Sequence, residues 1–100
     1  QCTLDFTEDL VELEPVEDKW KSFGWEVKRV DGHDLEELYN SLKWIRSRRS
    51  RKPLVIIADT VKGYGIDYLS CKPLWHGGTP IKDEDVKASR EDLQRSIQNG

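Results

Sequence analysis

The residues best suited to chemistry in this chain follow a short apolar run and lie next to glycines. After Leu54–Ala58 comes a segment that contains Lys62, Gly63 and Gly65, and His76 stands eleven residues beyond Gly65. Glycines allow backbone N–H groups to approach an anion closely, and a neighbouring lysine adds a charge suited to phosphate. The longer glycine spacings of the phosphate-loop and dinucleotide motifs are absent. The segment therefore leaves open two interpretations, a phosphate contact and an ordinary turn.

The two histidines differ in their surroundings. His76 is predicted in a loop, where a neutral imidazole can donate one hydrogen bond, accept another and transfer a proton near neutral pH. The alternative is an exposed loop histidine with no such role. His33 stands in a turn that needs only short polar residues, which favours a structural or surface role. Since Cys2 and Cys71 are also scattered, the sequence predicts no metal-ligand cluster within the chain.

The elements that must position these residues are indicated by their periodicity. Alternation over Trp25–Val30 predicts a strand. Asp34 can cap a helix that runs to about Arg46, with Glu37 completing a capping box. The unbroken run Leu54–Ala58 is typical of a parallel strand buried on both faces. Strand, helix and strand predict a βαβ unit of the α/β class, whose ligands gather beyond the carboxyl ends of the strands.

The remaining segments have simpler patterns. Residues 1–15 have no sustained period and are interpreted as an extended lead-in. Val16–Phe23 predicts a short helix that Gly24 can end. The C-terminal segment 81–100 is predicted to hold a helix over Asp83–Gln98, acidic in its first turn as the helix dipole favours. The apolar stripe of the central helix is formed by Leu35, Leu38, Leu42 and Ile45. At 100 residues, the chain corresponds to one domain or part of one.

Composition argues against several partners. A net charge of −3 gives no reason to expect nucleic acid or an anionic membrane, because both attract positive charge. The basic run at residues 46–52 is interpreted as a solvated loop after a helix. The longest apolar stretch, at residues 54–58, falls far short of the ~20 residues that cross a bilayer. Unpaired cysteines favour a reducing cytoplasm, and the chain does not begin with Met, which favours an incomplete or processed chain.

Several short strings occur in a characteristic order and with characteristic gaps. They are Gly24-Trp25-Glu26-Val27, Val30-Asp31-Gly32-His33-Asp34, Lys52-Pro53 through Ile57, Thr60-Val61-Lys62-Gly63-Tyr64-Gly65 and Trp75-His76-Gly77. Together they resemble the diphosphate-binding domain of transketolases, most closely those split into separate N- and C-terminal chains. The resemblance covers residues 10–97 and implies the C-terminal half of that domain. It also implies part of a doubly wound, mainly parallel sheet of the thiamine diphosphate-binding fold.

The resemblance implies roles for particular residues. In the family, the histidine of the His-Gly pair contacts the cofactor diphosphate and the substrate, which implies a catalytic and cofactor-binding role for His76. The position of Lys62 lines thiamine diphosphate near its diphosphate, and the resemblance implies that Gly63 also binds the cofactor. Relatives hold Mg²⁺ through a Gly-Asp-Gly motif and a following Asn, which this chain lacks, so its ligands are expected outside these residues. The glutamate that activates the cofactor belongs to a pyrimidine-binding domain or subunit, which is the expected partner.

The activity implied by the resemblance is transfer of a two-carbon ketol unit between sugar phosphates, as in the pentose phosphate part of carbohydrate metabolism. We expect an oligomeric cytoplasmic enzyme that needs its complementing chain or domain. Two alternatives stay open. One is another thiamine diphosphate ketol transfer, such as a deoxyxylulose-phosphate-type synthase. The other is a non-catalytic interaction module that keeps the fold without the metal motif, because a fold alone does not determine function.

Overall fold

The computed structural model describes residues 2–3 and 5–99 and contains six regular elements in that part of the chain. They are α1 (Thr7–Leu10), α2 (Val16–Ser22), β1 (Glu26–Asp31), α3 (Leu35–Ser47), β2 (Leu54–Asp59) and α4 (Asp83–Asn99). The described residues form two compact units. One comprises residues 13–60, and the other comprises the described residues of 1–12 and 61–100. The expectation of a single partial domain with a lead-in over 1–15 stays a prediction.

The unit of residues 13–60 is built on two parallel strands joined by a helix. β1 and β2 pair in register from Glu26 opposite Leu54 to Asp31 opposite Asp59, and α3 packs on β1. Each strand extends one residue beyond its predicted C-terminal end, and β1 begins one residue later than expected. The predicted strand, helix, strand order and the α/β class are thereby confirmed.

The burial predicted for the second strand is wrong. No residue of β2 is fully buried, and its last two residues, Ala58 and Asp59, are exposed. The sheet of the described chain has two strands, and the strands of a parallel sheet are buried on both faces only when helices cover each face. Val30 of β1, which is 5% exposed, supplies the buried apolar side chain of this unit.

The start of α3 confirms the predicted cap and corrects the capping box. Asp34 Oδ1 accepts hydrogen bonds from the backbone N–H groups of Glu36 at 2.8 Å and Glu37 at 3.0 Å. In a capping box, Glu37 would accept from the N–H of Asp34 itself. Glu37 Oε2 instead accepts from the N–H of Asp31 at 2.7 Å, while Asp34 N donates to the Asp31 carbonyl at 3.3 Å. The glutamate thus links the helix to the end of β1.

The inward face of α3 differs from the leucine stripe. Leu35 and Leu42 are 80% and 58% exposed, whereas Ser41 is fully buried and Leu38 and Ile45 are half-buried on either side of it. Ser41 can occupy this place because its hydroxyl donates to the Glu37 carbonyl at 2.7 Å, which satisfies the buried oxygen. The helix is therefore rotated toward the serine relative to the predicted stripe.

The short helix before β1 forms as predicted. α2 begins at Val16 and ends at Ser22. Gly24 follows in a left-handed conformation with φ +83°, and its N–H donates to the Lys21 carbonyl at 2.9 Å, as in a glycine C-cap. Trp20 and Trp25 pack edge to face with ring centroids 4.9 Å apart. This aromatic pair fixes the direction in which the chain leaves the helix and enters the strand.

The second unit contains one long helix and one helical turn. α4 confirms the prediction for the C-terminal segment, with an acidic first turn. α1 spans only Thr7–Leu10 and lies in the lead-in interpreted as irregular, because a single turn is too short to show a helical period. Among residues 2–3 and 5–99, no helix has both the length and the apolar character needed to cross a membrane.

Candidate functional site

Lys62 lies at the base of a long loop and is half-buried. Its ammonium donates to the carbonyl oxygens of Cys2 at 3.3 Å and Pro73 at 3.4 Å. The Lys62 carbonyl accepts from the N–H of Cys71 at 3.0 Å. These contacts hold both ends of the residue against the segment 71–73. Both acceptors of the ammonium are main-chain carbonyl oxygens.

Gly63 is explained in the structure by a tight turn. Its φ is +77°, and a Cβ built there would lie 3.1 Å from the carbonyl carbon and oxygen of Leu69 and 3.2 Å from Ser70 Cα. The Gly63 carbonyl accepts from the N–H of Ile66 at 3.0 Å. Gly65 also has a positive φ, +85°, but open space around it. The turn interpretation therefore accounts for Gly63, and an anion contact there stays a prediction.

His76 occupies an exposed turn in the same unit as Lys62. The turn is held from within, because Trp75 N donates to the Lys72 carbonyl at 3.2 Å and the Thr79 hydroxyl donates to the Leu74 carbonyl at 2.8 Å. The predicted loop position of His76 is thereby confirmed. Its exposure leaves the imidazole accessible to an anionic ligand.

His33 lies in the turn before α3, as expected. Its backbone N–H donates to Asp31 Oδ1 at 2.8 Å, so the residue takes part in an Asx-type turn. This geometry agrees with the structural role predicted for His33.

Sequence reasoning missed a cluster centred on Tyr68. The N–H of Tyr68 donates to Asp92 Oδ2 at 2.7 Å, and its phenol donates to Asp85 Oδ1 at 2.7 Å. The ring packs against Trp75 with centroids 6.3 Å apart, and the ammonium of Lys72 lies 4.4 Å from the centroid of the tyrosine ring. The one available signal was that the two aspartates are seven residues apart in a helix, which places them on one face.

The Tyr68 cluster also shifts proton affinities. The hydrogen bond to the Asp85 carboxylate raises the pKa of Tyr68 above its ordinary value. The same contact, together with the backbone N–H of Lys82, lowers the pKa of Asp85. The phenol therefore remains a donor, and the carboxylate an acceptor, over a wide pH range.

In the unit of residues 13–60, Asp59 is engaged by a guanidinium. Arg29 donates from Nε and Nη2 to the two oxygens of Asp59 at 2.7 and 2.8 Å, and from Nη2 to Glu14 Oε1 at 3.1 Å. The hydrogen bonds from Arg29 lower the pKa of both carboxyl groups. In the described part of the chain, no three histidine, cysteine, aspartate or glutamate side chains are grouped to hold a metal ion.

The parallel βαβ unit and the loops that follow it define a protein of the α/β class. Residues 1–98 match the family described as transketolase, thiamine diphosphate binding domain. The chain belongs to this family, and the resemblance predicted from its motifs is confirmed.

Curated relatives include subunits of transketolases. The chain is similar to an apulose-4-phosphate transketolase subunit of Actinobacillus succinogenes, with 36% identity over 89% of this chain and 31% of the relative. It is also similar to the 6-deoxy-6-sulfo-D-fructose transketolase subunit SqwG of Clostridium sp., with 33% identity over 90% of this chain and 32% of the relative. Transketolase-like protein 2 of Homo sapiens is 37% identical over 78% of this chain and 12% of the relative. The chain spans about a third of the length of the first two relatives.

Proposed function

We propose that this chain is part of a thiamine diphosphate-dependent transferase that moves a two-carbon ketol unit between sugar phosphates. The observation that carries the proposal is the match of residues 1–98 to the thiamine diphosphate binding domain of the transketolases. The names of the similar proteins as transketolase subunits support the reaction class. When bound, the cofactor supplies the carbanion chemistry, and the protein supplies binding and orientation.

The donor chemistry of the loop suits a diphosphate. Lys62 offers an ammonium that donates to two main-chain carbonyls, and charged donors make the stronger hydrogen bonds to phosphate oxygens. His76 offers an exposed imidazole, which can donate to a phosphate or to a sugar oxygen. We assign both residues to cofactor binding and His76 also to the substrate contact. Gly63 contributes by allowing the backbone to turn beside Lys62.

We propose that the Mg²⁺ ligands and the activating glutamate come from outside these 100 residues. The absence of the Gly-Asp-Gly motif supports this assignment for the metal. Two of the similar proteins are named as transketolase subunits rather than as whole enzymes, which supports a complementing pyrimidine-binding chain or domain as the partner. An oligomeric state and a cytoplasmic location stay predictions of the same proposal.

The test compares the two histidines in the complete gene product that contains these residues, assembled with its complementing chain. We expect His76→Ala to lower kcat/KM for ketol transfer about 100-fold, since a positioned histidine contributes roughly 10²- to 10⁴-fold in proton transfer. Calorimetry should show weaker thiamine diphosphate binding. The matched control is His33→Ala, because His33 is not among the residues assigned to the site, and it should leave both quantities nearly unchanged. Unchanged cofactor affinity and unchanged turnover in His76→Ala would contradict the role of His76.

The same measurements separate the proposed enzyme from the non-catalytic module. A wild-type assembly that neither binds thiamine diphosphate nor transfers a ketol unit would exclude the enzyme. Transfer from a ketose phosphate to an aldose phosphate would support it. Condensation that forms deoxyxylulose phosphate instead would replace it by the related synthase activity.

A further inference from the structure

The loop that carries His76 is fastened to α4 through one tyrosine. Tyr68 reaches α4 at two points, with its N–H on Asp92 and its phenol on Asp85, each at 2.7 Å. Its ring lies against Trp75, the residue immediately before His76. The histidine's neighbour in sequence is thus connected to the helix by a chain of contacts within a single compact unit.

Both acceptors on α4 are themselves held in place. Asp92 is 8% exposed, and its second oxygen is paired with Arg95. The second oxygen of Asp85 accepts from the N–H of Lys82, the residue just before α4, at 2.8 Å, which ties the carboxylate to the start of the helix. Acceptors with fixed rotamers define the position of their donor better than mobile surface groups do.

We propose that Tyr68 is a positioning residue for His76: its phenol, held by Asp85, fixes the ring on which Trp75 packs and so fixes the loop that presents the imidazole. This inference rests on the proposed function of His76. Two attachment points on one rigid helix fix the orientation of the tyrosine as well as its location. The ring then restricts the rotation of Trp75, and the backbone of the next residue follows.

The geometry favours this role over simple packing. If Tyr68 only filled space, its phenol would need no partner of defined geometry, and a phenylalanine would serve equally well. The phenol instead makes a short hydrogen bond to a carboxylate, and bonds to charged acceptors contribute more than those between neutral groups. Lys72 on the ring adds a cation–π contact. Hydrogen bonds, ring packing and charge therefore all act on the same side chain.

The first test is Tyr68→Phe, which keeps the ring and the backbone hydrogen bond to Asp92 and removes only the hydroxyl group. In the complete, cofactor-free protein, we expect amide hydrogen exchange over residues 72–78 to accelerate about 5-fold. Thiamine diphosphate affinity and kcat/KM should each fall roughly 3- to 10-fold, less than the full contribution of a hydrogen bond to a charged group, because the phenol acts on His76 only through Trp75. Tyr39→Phe is the matched control, because that residue is 62% exposed and is not among the residues assigned to the site; it should change none of the three.

A second test uses the partner of the phenol. Since Tyr68 and Asp85 share one hydrogen bond, Tyr68→Phe should have no further effect in an Asp85→Ala background. Fully additive losses in the double variant would overturn the assignment. Tyr68→Leu, which also removes the ring from Trp75, should have a larger effect on exchange over 72–78 than Tyr68→Phe.

The outcomes distinguish this inference from the proposed function. If His76→Ala weakens cofactor binding while Tyr68→Phe leaves both exchange and affinity unchanged, the positioning role fails and the function stands. If His76→Ala has no effect on affinity or turnover, the proposed function fails whatever Tyr68 does. Faster exchange spread evenly over residues 61–99, with a lower unfolding temperature, would indicate a general structural role and overturn the proposal.

Discussion

The two compact units of this chain are stabilised in different ways. In residues 13–60, β1 and β2 pair continuously along their backbones, from Glu26 opposite Leu54 to Asp31 opposite Asp59. In the other unit, the loop after residue 60 is attached by individual side chains, chiefly Lys62 and Tyr68, which bond to main-chain groups and carboxylates. The unit with the paired strands has regular structure, whereas the loop unit contains the residues proposed to bind a ligand. This division between regular elements and functional loops is common in proteins.

This difference determines how each unit should respond to change. A ladder spreads its stability over many equivalent bonds, so it yields only where the backbone itself is forced apart. A loop held by a few side chains can lose its conformation through one substitution. Adding a methyl group at glycines of each unit tests this contrast directly.

The largest expected effect is that of Gly32→Ala, in the turn between β1 and α3. The new Cβ would lie 2.5 Å from Thr60 Cγ2 and 2.8 Å from the Asp59 carbonyl oxygen, which accepts the Gly32 N–H at 2.7 Å. Because the clash involves backbone, we expect a loss of about 3 kcal/mol, at the upper end for overpacking. Denaturant unfolding of the complete protein measures it. Gly77→Ala, with open space around its Cβ position, is the control; equal losses in the two variants would contradict the explanation.

A smaller effect is expected at the glycines of the Lys62 loop. Gly63→Ala and Gly65→Ala both force a side chain into a left-handed conformation, at φ +77° and +85°, which costs roughly 1–2 kcal/mol. Only Gly63 also meets the backbone of residues 69–70. We therefore expect Gly63→Ala to be the more destabilising and to accelerate hydrogen exchange over 66–71. Equal losses would show that the close approach adds nothing to the cost of the backbone conformation.

The regular elements could be predicted because the apolar residues of each element recur at the spacing typical of a helix or a strand. The bounds of β1, α3 and β2 agree with the prediction to within one residue at most ends, and Asp34 caps its helix as expected. Burial could not be predicted in the same way. An apolar run such as Leu54–Ala58 shows what a strand could bury, whereas its neighbours determine what it does bury. The burial of Ser41 in α3 also depends on neighbouring elements, so the spacing of the apolar residues did not predict it.

The candidate site was predictable only in part. The strings that contain Lys62, Gly63 and His76 indicated the family together with the strings before them, but the roles of these three residues stay predictions. Tyr68 was missed because its hydrogen bonds reach Asp85 and Asp92, 17 and 24 residues away. No periodicity relates a loop to a distant helix. Such contacts depend on how the loop folds back, and the close approach of Gly63 to Leu69 shows that this is decided by local backbone geometry.

The smallest expected effects concern pH: lowered carboxyl pKa values act at the acid limb in both units, and Tyr68 of the second unit acts at the alkaline limb. At the acid limb, the hydrogen bonds from Arg29 lower the pKa of Asp59 and of Glu14. A carboxyl group with a lowered pKa stabilises the folded state above its ordinary value of about 4, and this contribution is lost as the pH falls through the lowered pKa. Arg29→Met should return the carbon-13 titration of Asp59 to the ordinary range. An unchanged Asp59 titration in that variant would contradict the assigned cause.

At the alkaline limb the sign is reversed, and the group concerned is Tyr68 of the second unit. The bond to Asp85 raises the pKa of Tyr68, so its contribution is complete below the ordinary tyrosine value of about 10 and is lost as the pH rises through the raised pKa. Arg29, whose pKa is raised further by Asp59 and Glu14, keeps its charge there, so the ion pairs of the first unit persist. In carbon-13 tyrosine spectra, the Tyr68 resonance should titrate above the ordinary tyrosine value of about 10. Asp85→Ala should lower this titration toward the ordinary value, and an unchanged Tyr68 titration would show that the carboxylate is not the cause.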